Sequence, residues 1–146
     1  MTENQEQIPN NIELKLINEW PSEEIVALYK AGGWWRESYD PKRIPSLIKG
    51  SFAFLVAVIP GNNRAIGMGR VISDGVSDAY IQDVVVLGKF RGKGIGKAII
   101  KKLLLHCIKN KLLWIGLVAE PGTKDFYTPL GFKELPGEPL VYRPED

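Results

Sequence analysis

Several things are scarce in this chain, and each scarcity excludes something. There is one cysteine, Cys107, so no internal disulfide can form, and a reducing compartment is expected. There is one histidine, His106, with neither a second histidine nor a carboxylate cluster beside it, so a metal centre is not expected. His106 itself reads as a surface or packed helix residue. The longest apolar run, Phe52 to Pro60, is far too short to span a bilayer. Met1 to Asn11 is polar and lacks the apolar stretch of a signal peptide, so the expected location is cytoplasmic. The net charge of +2 is too small to point to nucleic acid. Internal repeats and low-complexity tracts are also missing. The 146 residues suit a single domain over 1–146, and with 45% apolar and 25% charged residues the composition is that of an ordinary globular domain. At this size folding buries about 68–70% of the unfolded surface, enough for a core without staples.

Glycine and lysine, by contrast, are concentrated in one place. Val84, Val85 and Val86 end an apolar strand that runs through Leu87-Gly88-Lys89-Phe90 into Arg91-Gly92-Lys93-Gly94-Ile95-Gly96-Lys97 and then into a helix. A helix N-terminus offers unpaired N–H groups to an anion, and glycine lets backbone approach a ligand closely. Arg91, Lys93 and Lys97 add positive charge. The stretch reads as a pyrophosphate cradle. A Walker A loop is excluded because position 91 is Arg rather than Gly and Ala98, not Ser or Thr, follows Gly96-Lys97. A G-x-G-x-x-G dinucleotide fingerprint is excluded because its third glycine falls on Lys97 or Ile99.

What fits is Arg-x-x-Gly-x-Gly, Arg91 to Gly96, directly after a valine-rich strand. It resembles the acetyl-CoA pyrophosphate motif of the GNAT superfamily of N-acetyltransferases. Downstream, Phe126-Tyr127-Thr128-Pro129-Leu130-Gly131-Phe132 is similar to the family's second signature, Phe-Tyr-x-x-Leu-Gly-Phe. The resemblance covers about Ala65 to Phe132.

The resemblance implies a single-domain α+β GNAT fold: a mostly antiparallel sheet, splayed between its fourth and fifth strands, with flanking helices. It implies acetyl-CoA as acetyl donor, with the backbone of Val84, Val85 and Val86 pairing with the pantetheine arm and residues Arg91, Gly92, Lys93, Gly94, Ile95, Gly96 and Lys97 holding the pyrophosphate. It implies Tyr127 as the general acid for the departing thiolate, whose ordinary phenol pKa of about 10 lies near a thiol's of about 8.5. The acceptor would be a primary amine, a small amine or aralkylamine first, attacking the thioester directly in a ternary complex, with a strand N–H near Val85 or Val86 on the oxyanion. Asp78 to Val86 looks most like arylalkylamine-type and plant-type serotonin acetyltransferases. Such an amine is only about one part in 2,500 neutral at pH 7, so something must take its proton. Asp83 is the candidate base on the cofactor strand, and Glu120 ends the neighbouring strand; Gln82 stands where related enzymes often have Glu, and an amide cannot serve. Trp34 and Trp35, in an aromatic loop, are candidate walls for a cationic acceptor. The family often dimerises, so a homodimer is one expected assembly; membrane and nucleic-acid partners are not expected. Two other readings stand beside this one: a protein N-acetyltransferase, and a CoA-binding sensor without catalysis, against which the retained Tyr127 counts.

The hydropathy pattern predicts strands over Ile12–Ile17, Phe52–Ile59, Ala65–Ser73, Ala79–Leu87 and Leu113–Ala119. It predicts helices over Glu23–Ala31, capped by Ser22, from Asp40-Pro41 to Gly50, from Gly94 to about Lys109, and near Lys124–Thr128. Glu138–Tyr142 reads as a last edge strand.

Overall fold

The computed structural model describes residues 11–144, so the polar segment before Asn11 lies outside the described residues. Strand β1 (Glu13–Leu16) is followed by helix α1 (Ser22–Ala31), then by a 3-10 turn (Pro41–Arg43) that runs into α2 (Ile44–Gly50). Strands β2 (Ala53–Ile59), β3 (Arg64–Ser73) and β4 (Asp78–Val86) form a meander. A second 3-10 turn (Gly88–Phe90) leads to α3 (Ile95–Lys109), β5 (Trp114–Gly116), α4 (Lys124–Tyr127) and a final 3-10 turn (Thr128–Leu130). The sheet order is β1-β2-β3-β4-β5, antiparallel except for the β4–β5 pair, which is parallel and joined through α3. This is the α+β architecture that the resemblance implies.

Both faces of the sheet are covered, which is why β2 is apolar throughout instead of alternating. Leu55 and Ala57 join Ile66, Val71, Ile99 and Leu103 in the core under α3. Phe54, Val56 and Val58 join Ile25, Leu28, Ile48 and Met68 in a second core under α1 and α2.

Three expectations need correction. Ser22 does not cap α1; Pro21 holds the cap position without a side-chain bond, and Ser22 is the first helical residue. Strand β5 has only three residues, Trp114–Gly116, instead of the expected Leu113–Ala119. Glu138–Tyr142 is not a strand: among the described residues it pairs with nothing, and Leu140 is 93% exposed. Its apolar residues fit a strand pattern, but β5 offers too little paired edge to receive them.

The site depends on a bulge that the hydropathy pattern hides. Arg70 faces Gln82 and Met68 faces Val85, so Gly69 alone spans two β4 residues, Asp83 and Val84. Asp83 takes the left-handed conformation, φ 61°. The extra residue switches faces: Ala79 and Ile81 point to the α3 core before it, Val84 and Val86 after it, while Val85 turns to the α1 side.

Candidate functional site

Strands β4 and β5 touch only at Asp78–Trp114, Ala79–Ile115 and Tyr80–Gly116. Beyond Tyr80 they diverge, and β4 presents main-chain groups to a crevice. The last paired level is closed by Trp114, whose ring meets Tyr80 edge-on at 5.3 Å. Its indole lies over Gly116, where a Cβ would come within 2.8 Å of the ring. The crevice encloses about 200 Å³ and is bounded by β4 from Tyr80 to Val84, by Leu117, Val118 and Glu120 beyond β5, and by Trp34 and Tyr127. A larger open groove of about 460 Å³ lies at the β1 edge, against Leu16, Phe52 and His106. It holds neither sequence motif, and His106 simply packs on Phe52 there at 5.5 Å. We assign the site to the crevice, where the candidate residues converge.

The glycine-rich turn sits at the end of β4. Gly92 and Gly94 have φ of 79° and 83°, a conformation that suits glycine, and Gly94 is the residue from which α3 starts. The first bond of α3 runs from Ala98 N–H to Gly94 C=O at 3.0 Å. The N–H groups of Ile95, Gly96 and Lys97 therefore have no helical acceptor, and they lie at the positive end of the helix dipole. Lys93 is exposed and Lys97 half-buried beside them. Val85 and Val86 bury their side chains and can offer a ligand only backbone. Arg91 behaves differently from its basic neighbours. Its Nε donates to Val86 O at 2.8 Å and its Nη2 to Ala31 O at 3.3 Å. The guanidinium thus ties the turn to β4 and to the C-terminus of α1, and the cradle is left with backbone N–H groups and lysines.

Two carboxylates reach the crevice, in unlike surroundings. Asp83 Oδ2 accepts from Arg70 Nε at 2.6 Å and from Tyr29 OH at 2.8 Å. Arg70 also donates through Nη1 to Ser51 Oγ at 3.3 Å. Burial, followed by the Asp83 charge, pushes the Tyr29 phenol far above its usual range. Glu120 is exposed and accepts one long bond, from Trp34 Nε1 at 3.4 Å. Tyr127 is half-buried, packed edge-on against Phe126 at 5.0 Å and Phe132 at 5.7 Å. Burial, and after it the Glu120 charge, holds its phenol above the usual tyrosine value, so it keeps its proton through neutral pH.

The structure brings Tyr127, Asp83, Val84 and Trp34 together at one crevice. Trp35 is not part of it; that ring packs between Tyr29 at 6.4 Å and Tyr39 at 5.4 Å. Sequence reasoning missed the Tyr29–Arg70–Ser51 set. Its signal was a lone arginine within the glycine and apolar run of β3. No three or more metal-ligating side chains gather among the described residues, and none of the described helices is long and apolar enough to cross a membrane.

The comparisons agree with this geometry. A family model described as an acetyltransferase (GNAT) domain matches residues 50–134, from the end of α2 past Phe132. The uncharacterized N-acetyltransferase ycf52 of Pyropia yezoensis is 31% identical over 113 residues, 77% of this chain and 65% of the relative. GCN5-related N-acetyltransferase 1, chloroplastic, of Arabidopsis thaliana is 31% identical over 114 residues, 78% of this chain and 57% of the relative. The chain thus spans 57 to 65% of the length of these two relatives. Histone acetyltransferase TAP1 of Glycine max is 40% identical over 73 residues, half of this chain and 32% of the relative. Among solved structures, a probable acetyltransferase of unknown function from methicillin-resistant Staphylococcus aureus superposes with a TM-score of 0.74 at 20% identity, covering 90% of this chain and 99% of the other. Glucosamine-6-phosphate N-acetyltransferase from Arabidopsis thaliana superposes with a TM-score of 0.72 at 17% identity, covering 90% and 97%. These two show a shared fold. With a glycine-rich turn opening a helix, a strand pair splayed beside it and a family model spanning both motifs, the chain belongs to the GNAT acetyltransferase family.

Proposed function

We propose that this chain is an acetyl-CoA-dependent N-acetyltransferase acting on a primary amine, a small amine or aralkylamine, in a ternary complex. The observation that carries the reading is the divergence of β4 from β5 beyond Tyr80, above the N-terminus of α3, with the Tyr127 phenol on its wall. The N–H groups of residues 95–97 with Lys93 and Lys97 suit a pyrophosphate, and the Val84–Val86 edge, which β5 leaves unpaired and where Arg91 takes only the Val86 carbonyl, suits an extended amide arm. In the reaction the amine nitrogen attacks the thioester carbonyl carbon. A C–N bond forms and the carbonyl electrons move to oxygen, held by a strand N–H at Val85 or Val86. Before that attack the acceptor ammonium loses a proton to solvent. Collapse of the tetrahedral intermediate then breaks the C–S bond; the thiolate takes the Tyr127 phenolic proton, and the second proton from nitrogen returns through solvent to the Tyr127 phenolate. Most of the acceleration comes from holding two reactants in register.

In this scheme Asp83 is a positioning residue. One of its oxygens already accepts from two donors, and its left-handed backbone sets the bulge that aims Val84 and Val85. Arg91 acts likewise, through its bonds to Val86 and Ala31. A lysine side chain is also a primary amine, and one relative is named a histone acetyltransferase; a crevice of about 200 Å³ that opens to solvent admits a small amine or a lysine side chain, and the acceptor panel separates the two.

The test is thiol release from acetyl-CoA with a panel of amines and a lysine peptide, for the native chain and Tyr127→Phe. We expect turnover with one amine class and a kcat roughly 10²–10⁴-fold lower in the variant, with KM for acetyl-CoA unchanged. CoA binding without turnover on any acceptor would favour the sensor reading. Failure to bind CoA would overturn the assignment of the cradle.

A further inference from the structure

Resting on the acetyltransferase reading, we infer that Glu120 reads the charge of the acceptor: it holds the nitrogen end as an ammonium and selects primary amines that carry no carboxylate beside the nitrogen. The inference starts from the charges around the crevice. Among the described residues no lysine or arginine lines it. Of its two carboxylates, Asp83 is cancelled by Arg70 at 2.6 Å. None of the ion pairs among the described residues involves Glu120. The acceptor cavity therefore carries one uncompensated negative charge, whereas the cations of the glycine-rich turn sit at the other end of β4, where a pyrophosphate would lie.

The surroundings of Glu120 suit a cation as well. Trp34 Nε1 donates a long bond to its Oε2 at 3.4 Å, with the indole edge turned toward the carboxylate. Tyr80, Trp34 and Tyr127 line the remaining space, and aromatic rings attract an ammonium that meets their faces. An amine bearing an α-carboxylate would bring a second negative charge against Glu120 with no cation on the wall to receive it. This repulsion excludes zwitterionic amino acids while admitting amines of the same skeleton. The choice between the two rests on charge, because the pair differs by one carboxylate and nothing else.

The experiment uses phenethylamine and phenylalanine as matched acceptors with the native chain and Glu120→Gln. Glu120 is exposed, its carboxylate accepts one hydrogen bond among the described residues, from Trp34, and its backbone carbonyl keeps its bonds from Thr123, so the amide variant keeps the fold; circular dichroism checks this. For the native chain kcat/KM should favour phenethylamine. In Glu120→Gln its KM should rise about fivefold, the size of a solvent-accessible charge contact, with KM for acetyl-CoA unchanged. Because the repulsion of phenylalanine is relieved at the same time, the preference ratio should fall about tenfold. Titration calorimetry of phenethylamine onto the CoA-saturated protein gives a readout independent of turnover. Weaker binding to Glu120→Gln than to the native chain supports the inference even if no acetyl moves, in which case only the acetyltransferase reading falls. Turnover with an unchanged ratio and unchanged amine KM in Glu120→Gln overturns the inference and leaves the enzyme reading standing. A loss confined to kcat, or no amine binding to the native chain, overturns it too.

Discussion

Replacing Arg70 by Met tests whether the β4 bulge is held by charge. Arg70 and Asp83 make an ion pair at 2.6 Å with side chains only 16% and 20% exposed. Removing one partner of a fully buried pair costs about 3–5 kcal/mol, while an exposed pair contributes about 0.2–1 kcal/mol. At this exposure we take about 2–3 kcal/mol between those limits. That corresponds to a Tm lowered by roughly 5–10 °C in a chain of this size. Arg70→Met leaves Asp83 with the Tyr29 hydroxyl alone and with an uncompensated charge next to a left-handed residue. Asp83→Asn keeps an acceptor for Tyr29 and suits the positive φ, since Asn tolerates that region, but it strands the guanidinium. The double variant removes both charges and should be more stable than the sum of the singles predicts, by about 1–3 kcal/mol. Urea unfolding followed by circular dichroism on all four chains gives the cycle. Single-variant effects that add to within about 0.5 kcal/mol would refute the coupling and with it the account of the bulge. Under the positioning role, Asp83→Asn lowers kcat but keeps the shape of its pH profile; loss of the acidic limb would instead restore Asp83 as the proton acceptor.

Two further outcomes follow from the same geometry. The phenols of Tyr29 and Tyr127 are both raised by burial first and by a neighbouring carboxylate next. A raised folded-state pKa gives stability that is complete below the unfolded tyrosine value of about 10 and is lost as pH climbs from there through the folded value. Urea midpoints should therefore hold from neutral pH to about 9 and fall above about 10, and Tyr29→Phe should flatten that alkaline fall. Gly94→Ala places a Cβ at φ 83° and should cost about 1–2 kcal/mol in thermal unfolding. It should also weaken CoA in titration calorimetry while leaving the amine KM unchanged, because it disturbs only the start of α3.

Much of the fold was legible because its signals are local. The apolar run of β2, the i, i+4 stripe of α3 and the glycine turn each occupy one continuous stretch, and each element lies within a few residues of its expected place. The three failures share a cause: propensity at a chain position says nothing of the partner. Glu138–Tyr142 has a strand's composition but no strand beside it among the described residues. The chain stays apolar beyond β5, from Leu117 to Ala119, yet it parts from β4 after Gly116. Ser22 is a fit capping residue, but the chain enters the helix one residue earlier, at Pro21.

The two carboxylates show why the site was less legible than the fold. In the sequence, Asp83 beside the valines looks like the catalytic acid–base candidate and Glu120 like a solvated strand end. The difference between them comes from residues far away along the chain. Tyr29 lies 54 positions from Asp83. Arg70 sits across the bulge, one strand back. Trp34 reaches Glu120 over 86 positions. None of these pairings has a sequence period, because each depends on how α1, the loop after it and β3 pack against β4. Once they form, the Asp83 carboxylate is paired with the Arg70 guanidinium, and Glu120 has no cation paired with it among the described residues. That division suits an acceptor arriving as a cation: a second free charge at Asp83 would hold the ammonium at the bulge and raise the cost of the neutral amine that must attack there. In the proposed reaction Arg70 would thus serve the chemistry by compensating the Asp83 charge, a role no motif could have announced.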